Sequence, residues 1–320
     1  MADKATRDGF GEGLLELGRT NPHVVALSGD LEDSARAIWF KKEFPHRFFS
    51  VGIAEQDMIG TAAGLAMMGK IPFACSFSQF VTGKALEQLR LAVCYQNLPV
   101  KIVGSHGGLS VGADGATAEA LEEFPHLRSL PGMTVVMPCD AIEAKKAAIA
   151  SATYPGPVYL RLGRAPVPTI TKSEILFEIG KANTLREGSD VAILACGTMV
   201  AHALQAAEAL AKDDIQARVI NLHTIKPLDA STILKAARDT GALVTAEEHT
   251  ILGGLGGAVA EVTAQEHPVP IRMVGVVDRF GTSGDPAALF KVFHLMPEDI
   301  VKAAREVLRL KHAWAASAAR

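Results

Sequence analysis

The chain has 320 residues, of which 48% are hydrophobic and 21% charged, and a formal net charge of −3. That balance suits a well-cored globular protein of two ordinary domains and excludes a disordered chain. No Lys/Arg run is present, so neither nucleic acid nor an anionic membrane is expected as a partner. Residues 1–8 show no signal-peptide core, and no apolar run reaches transmembrane length. Cys75, Cys94, Cys139 and Cys196 are scattered with no CxxC pair, the pattern of reduced, buried thiols, and a cytoplasmic location is expected.

In chain order, residues 8–20 form an amphipathic helix with Phe10, Leu14, Leu15 and Leu17 on one face. A buried strand over 23–28 ends at Gly29-Asp30, and a second helix and a strand over 48–51 follow. A helix starts at Glu55, and 72–76 is a strand leading to a helix over 82–94. Residues 100–104 are a strand running into a Gly-rich loop, 104–117. A strand over 134–137, a helix over 141–152 and a strand over 157–161 complete the first layer. Short apolar strands alternating with helices imply a parallel sheet covered on both faces, an α/β doubly wound unit. Residues 166–189, with Pro166, Pro168 and a Gly-Ser, read as a linker between a domain over 1–165 and a second, smaller α/β domain over 190–320. The second has strands over 191–195, 217–220, 242–245 and 271–275.

The most informative stretch is Val51-Gly-Ile-Ala-Glu-Gln-Asp-Met-Ile-Gly-Thr-Ala-Ala-Gly-Leu-Ala66. Glu55 stands among Ile53, Ala54, Met58 and Ile59, and a carboxyl buried there is costly without a partner. Gly60, Ala63 and Gly64 recur at helical spacing, so the helix that carries them can approach a neighbour closely. Read locally, Glu55 caps the helix or faces water about as readily as it serves chemistry. The wording of the stretch resembles the cofactor-activating segment of the transketolase family of thiamine-diphosphate enzymes. The resemblance implies that Glu55 donates a hydrogen bond to N1′ of the cofactor's aminopyrimidine and so activates its thiazolium carbon. It also implies the fold: a pyrimidine-binding domain followed by a transketolase C-terminal domain.

Further residues carry the resemblance. In Ser76-Phe-Ser-Gln-Phe80, Phe77 and Phe80 fall where the family walls the aminopyrimidine, although on local sequence two core aromatics on a strand-to-helix turn would suffice. Where many relatives have another aromatic, this chain has Gly83. Arg7, Ser34, His106 and Arg164 fall where the family places substrate-phosphate ligands, and two guanidinium forks, a hydroxyl and an imidazole suit a dianion. Asp30 matches a residue near the thiazolium, and an Asp in a turn after a strand is an equally simple account. Asp114, in Gly112-Ala-Asp-Gly-Ala-Thr117, matches a ligand for a substrate hydroxyl. The sequence departs from the pattern at Ala118, where most relatives have His.

The resemblance covers only half of a complete transketolase. The Gly-Asp-Gly segment with its following Asn, which grips diphosphate and metal, has no counterpart here. The expectation is therefore one subunit of a split transketolase, an α2β2 heterotetramer with a diphosphate-binding partner that holds Mg2+ or Ca2+. This chain would hold no metal itself and be inert alone. The reaction implied moves a two-carbon ketol unit from a ketose phosphate to an aldose phosphate. Alternatives are a 1-deoxyxylulose-5-phosphate-synthase-like subunit, the β-type subunit of a 2-oxo-acid dehydrogenase, and a non-catalytic assembly subunit. Ser105-His106, in place of an Asp-Arg pair, argues against the first. Two motifs are decoys: Leu252–Ala258 is a tight loop opening a helix, and Glu247, Glu248 and His249 point to different faces.

Overall fold

Runs of β-branched and apolar residues too short for helices form the strands of two sheets in the computed structural model, which describes residues 3–318. The strands are β1 (Val24–Ser28), β2 (Phe48–Ser50), β3 (Ile71–Phe77), β4 (Lys101–Ser105), β5 (Thr134–Val136) and β6 (Val158–Arg161). Then come β7 (Asn183–Arg186), β8 (Val191–Ala195), β9 (Ala217–Asn221), β10 (Thr224–Lys226), β11 (Leu243–Thr250) and β12 (Ile271–Val276). The first sheet runs β10-β5-β6-β4-β3-β1-β2 and the second β12-β11-β8-β9-β7. All pairings are parallel except those of β10 with β5 and β7 with β9. Helices cover both faces, so β1, β4, β6 and β8 are buried along their whole length and are mostly apolar, with Lys101 and Arg161 as buried exceptions.

Strand order fixes where a ligand can enter. The chain passes from β1 to β2 on one side, then crosses back to place β3 on the other side of β1. This reversal opens a crevice beyond the carboxyl ends of β1 and β3, the position at which open α/β sheets bind ligands. Asp30 follows β1, Glu55 follows β2, Phe77 ends β3, His106 follows β4 and Arg164 follows β6, so every one of them lies on this edge.

Three expectations need correction. The stretch 166–189 is not a bare linker: Asn183–Arg186 forms the antiparallel edge strand β7, and Ile170 and Thr171 donate backbone N–H bonds to Asp140. Its strand is short and polar because only an edge position is needed. The helix expected over 82–94 is broken into a helix at Ser78–Gly83, a turn at Leu86–Gln88 and a π-type turn at Leu89–Cys94. Finally, β10 belongs in sequence to the second unit but completes the first sheet, pairing Thr224 with Val136. The two units therefore interlock, and one apolar core runs from Leu27 and Met58 through Tyr159 to Leu194 and Ile220.

A buried polar seam also joins them. Arg161 donates to Glu123, to the carbonyl of Ala120 and, across the units, to the carbonyl of Glu248. The carboxylate of Glu248 accepts from the N–H of Ser110 and, at 2.8 Å, from Thr198 Oγ1. Glu247, on the other face of β11, accepts from the N–H groups of Leu255 and Gly256, so the glycine-rich segment does open a helix, Leu255–Glu266. Among the described residues no helix is long and apolar enough to cross a membrane.

Candidate active site

Gly52, at φ 72°, turns the chain after β2 so that the helix Glu55–Met67 begins at the crevice. Glu55 occupies its first turn, where the free N–H groups favour a carboxylate. Its side chain is only 1% exposed. Oε1 accepts from Ser76 Oγ at 3.1 Å and Oε2 from Lys84 Nζ at 3.1 Å. A Cβ built on Gly29 would stand 3.6 Å from both Glu55 Oε1 and Ser76 Oγ, so the ends of β1 and β3 meet at this carboxylate. The carboxyl is thus buried and partnered, not a solvent-facing cap.

The aromatics form a column. Phe77 and Phe80 stack with centroids 5.3 Å apart, and His106 stacks on Phe77 at 3.9 Å and 21°. Lys84 Nζ lies over the ring of Phe80, 4.6 Å from the centroid. Lys84 drew no attention in the sequence, because an exposed helical lysine carries no local signal.

Beyond His106 lies a cluster of positive charge. Arg7 Nη1 donates to the carbonyl of Ser34 at 3.1 Å, which ties together two residues far apart in sequence. Arg164 Nη1 donates to the carbonyl of Val111 at 2.9 Å and pairs with Asp114 at 3.3 Å. Burial, and then the charges of Arg7, Arg164 and Arg36, push His106 down to about 3, so its imidazole is neutral. Burial, Arg36 and Arg164 also lower Arg7. The charges of Arg7 and Arg164 both act on His106, and that of Arg164 acts on Arg7, so the three lie within reach of one another's fields, with Ser34 bonded to Arg7 and Asp114 paired with Arg164. Asp30, at φ 65°, stays exposed at the rim.

Arg36 is the residue the sequence reading missed. Its Nε pairs with Asp8 at 2.7 Å and its field reaches both Arg7 and His106. Its position two residues after Ser34 was the available signal. Ala118 is buried at 5% exposure and offers the site no polar atom. Next to it, Glu119 is buried with both carboxylate oxygens unpartnered among the described residues, and burial followed by the charge of Glu248 pushes it up to about 7.

These residues fit one part of a thiamine cofactor. A buried carboxyl near an aromatic ring can take a flat ring bearing a basic nitrogen. Among the described residues no group of three His, Cys, Asp or Glu side chains could hold a metal ion. Gly60 and Gly64, on the helix carrying Glu55, have nothing within 4 Å of a Cβ built on them, so this face of the helix is open. Ile53, Met67 and Met68 stand exposed around them.

Comparison with known proteins agrees with this geometry. Residues 2–169 match the family model "Transketolase, pyrimidine binding domain" and residues 180–300 match "Transketolase, C-terminal domain". The chain is 44% identical over 306 residues to the 6-deoxy-6-sulfo-D-fructose transketolase subunit SqwH of Clostridium sp. (strain MSTE9), covering 96% of this chain and 95% of that one. It is 42% identical to an apulose-4-phosphate transketolase subunit of Phocaeicola vulgatus, covering 95% of this chain and 98% of the relative. A split gene transketolase solved as an inactive beta4 tetramer superposes with a TM-score of 0.90 at 46% identity, covering 96% of this chain and 99% of the other. With the crevice, its buried carboxyl and both domain matches in place, this chain belongs to the transketolase family as a subunit of the split type.

Proposed function

We propose that the chain activates thiamine diphosphate held by a separate diphosphate-binding subunit, and with it transfers a two-carbon ketol unit from a ketose phosphate to an aldose phosphate. The observation that carries this reading is the buried carboxyl of Glu55, set at the sheet's switch point between Ser76 and the face of Phe80. When bound, the cofactor supplies a thiazolium carbon able to add to a ketone carbonyl. Glu55 holds a proton toward the pyrimidine nitrogen, and Phe80, backed by Phe77, gives the ring a flat apolar seat. Asp30, exposed after β1, would stand on the thiazolium side of the bound cofactor.

The cationic cluster takes the sugar's phosphate: Arg7 and Arg164 as forks, His106 and Ser34 as neutral hydrogen-bonding groups, and Arg36 as an added charge. Asp114, beside Arg164, accepts from a sugar hydroxyl. Both named relatives act on sugars whose names include an anionic group, sulfo in one and phosphate in the other, which agrees with a site built around positive charge. Ala118 cannot move a proton, so any proton transfer at the sugar falls to another group.

Residues 1–165 serve as the pyrimidine-binding domain and 190–320 as the C-terminal domain, joined by 166–189. The partner brings the diphosphate and its Mg2+ or Ca2+ to the face formed by Ile53, Gly60, Gly64 and Met67, giving an α2β2 assembly. The test is to mix purified chain with its diphosphate-binding subunit, cofactor and magnesium and to assay pairs of ketose and aldose phosphates. Turnover by the mixture and none by either subunit is expected; a mixture that neither binds cofactor nor turns over overturns the reading.

A further inference from the structure

In this chain the ammonium of Lys84 meets both marks of the pyrimidine seat. Nζ stands 3.1 Å from Glu55 Oε2 and 4.6 Å from the centroid of Phe80. A flat ring cannot lie on Phe80 and hydrogen-bond Glu55 while that ammonium is in place. The side chain is built to leave. Lys84 is 51% exposed, against 1% for Glu55, and its other neighbour on the chain, Gly83, offers no side chain to pin it. Lys84 Nζ makes no other hydrogen bond among the described residues.

We infer that Lys84 is a placeholder for the cofactor. In the unloaded chain it supplies the counter-charge that a buried carboxylate requires, and it swings into solvent when the aminopyrimidine arrives. This rests on the reading of Glu55 given above. The physical reason is the cost of an unpaired buried charge: a chain that must exist before its partner delivers the cofactor has to keep Glu55 satisfied in the interim. The consequence is competition. Part of the cofactor's binding free energy is spent on breaking the Lys84–Glu55 pair, so removing the lysine tightens cofactor binding while loosening the unloaded chain.

The experiment measures the dissociation constant of thiamine diphosphate, in the presence of magnesium, for the complex reconstituted with its diphosphate-binding subunit. It compares wild type, Lys84→Met and Lys84→Arg by calorimetry or quenching of intrinsic fluorescence. Lys84→Met is expected to bind the cofactor about 5- to 30-fold more tightly, whereas Lys84→Arg, which keeps the charge, stays within about 3-fold of wild type. In the isolated chain, thermal melting should show Lys84→Met less stable than wild type and the double variant Glu55→Gln/Lys84→Met recovering most of the loss. If Lys84→Met does not fold, Lys84→Gln carries the same expectation. Unchanged or weaker cofactor binding by the charge-removing variant overturns the inference. Wild-type complex that binds no thiamine diphosphate overturns the functional reading instead.

Discussion

The imidazole of His106 and the ring of Phe77 stack with centroids 3.9 Å apart, and this contact joins the two halves of the crevice. Phe77 also supports Phe80 at the Glu55 end, while His106 lies in the field of Arg7, Arg36 and Arg164. A ring at one end and a phosphate at the other would therefore be held by one continuous column of side chains. Because His106 is pushed down to about 3, it contributes a neutral imidazole throughout the physiological range.

That neutrality has a pH consequence. A histidine whose folded value lies below its unfolded value of about 6.5 binds its proton more readily when unfolded, so stability falls as pH drops from about 6.5 toward 3. His106→Asn should lose less stability than wild type on acidification through that window, read as the difference in Tm between pH 7 and pH 4.5. The acid limb of kcat/KM between pH 5.5 and 7 should not move. An acid limb that shifts in His106→Asn would show that the imidazole does titrate in the working enzyme.

Replacing Glu55 tests the centre of the site. Glu55→Gln keeps the shape but cannot supply the carboxyl proton, and it should lower kcat of the reconstituted complex by about 10²–10⁴-fold. Circular dichroism should show the chain folded as before. Turnover within a few-fold of wild type would remove Glu55 from its assigned role.

Arg164 distinguishes phosphate recognition from general packing. Arg164→Ala removes a charged donor worth about 1.5–3 kcal/mol, so KM for phosphorylated sugars should rise about 10- to 150-fold. Values for unphosphorylated analogues should change little. Equal losses for both kinds of sugar would mean that Arg164 positions Asp114 and the loop at Val111, the partners it already has.

The buried seam makes a stability prediction. Arg161 and Glu123 are both almost wholly inaccessible, and burial, which alone would raise Glu123, is outweighed by Arg161 and His249, leaving it well below the usual carboxylate range. Removing one partner strands the other, so Arg161→Met should cost about 3–5 kcal/mol. Arg161→Met/Glu123→Gln should cost clearly less than that single change, since the stranded charge is gone. Denaturant melts of the three proteins measure the difference.

Glu143 provides a test in the opposite pH direction. Burial pushes it up to about 7, against the N–H of Cys139 and the amide of Asn221 that its oxygens accept. A carboxyl with a raised folded value stabilises most below its unfolded value, and the benefit is lost as pH rises through about 7. Glu143→Gln should therefore gain on wild type between pH 4.5 and 8, because Asn221 Oδ1, which has no partner among the described residues, can accept from the new amide once Asn221 turns over. A Tm difference that stays flat across that range would contradict the raised value.

Much of the architecture was legible because period and length decide it: Val191–Ala195 is apolar throughout and Val24–Ser28 up to its last residue, as two-faced burial demands. The role of Glu55 was legible only through the resemblance of its stretch to the transketolase family's cofactor-activating segment, since read locally it serves as a cap about as readily as it serves chemistry. Strand β10 was not legible. Three residues, Thr-Ile-Lys, carry no periodicity, and their pairing with β5 is made by residues nearly ninety positions away. Arg36 and Lys84 were equally silent, because an ordinary cation on a helix or turn acquires meaning only from what it faces.

From the amino-acid order alone came two α/β layers, the crevice residue Glu55, the aromatic pair and the cations that could serve a phosphate. Only the folded chain decided which of these share a space. Register and crossover order put the ends of β1, β3, β4 and β6 side by side, gathered Arg7, Arg36, His106 and Arg164 into one field, and laid Lys84 across Glu55 and Phe80. The physical reason is that charge and stacking act over a few ångströms in space, whereas the sequence orders residues only along the backbone.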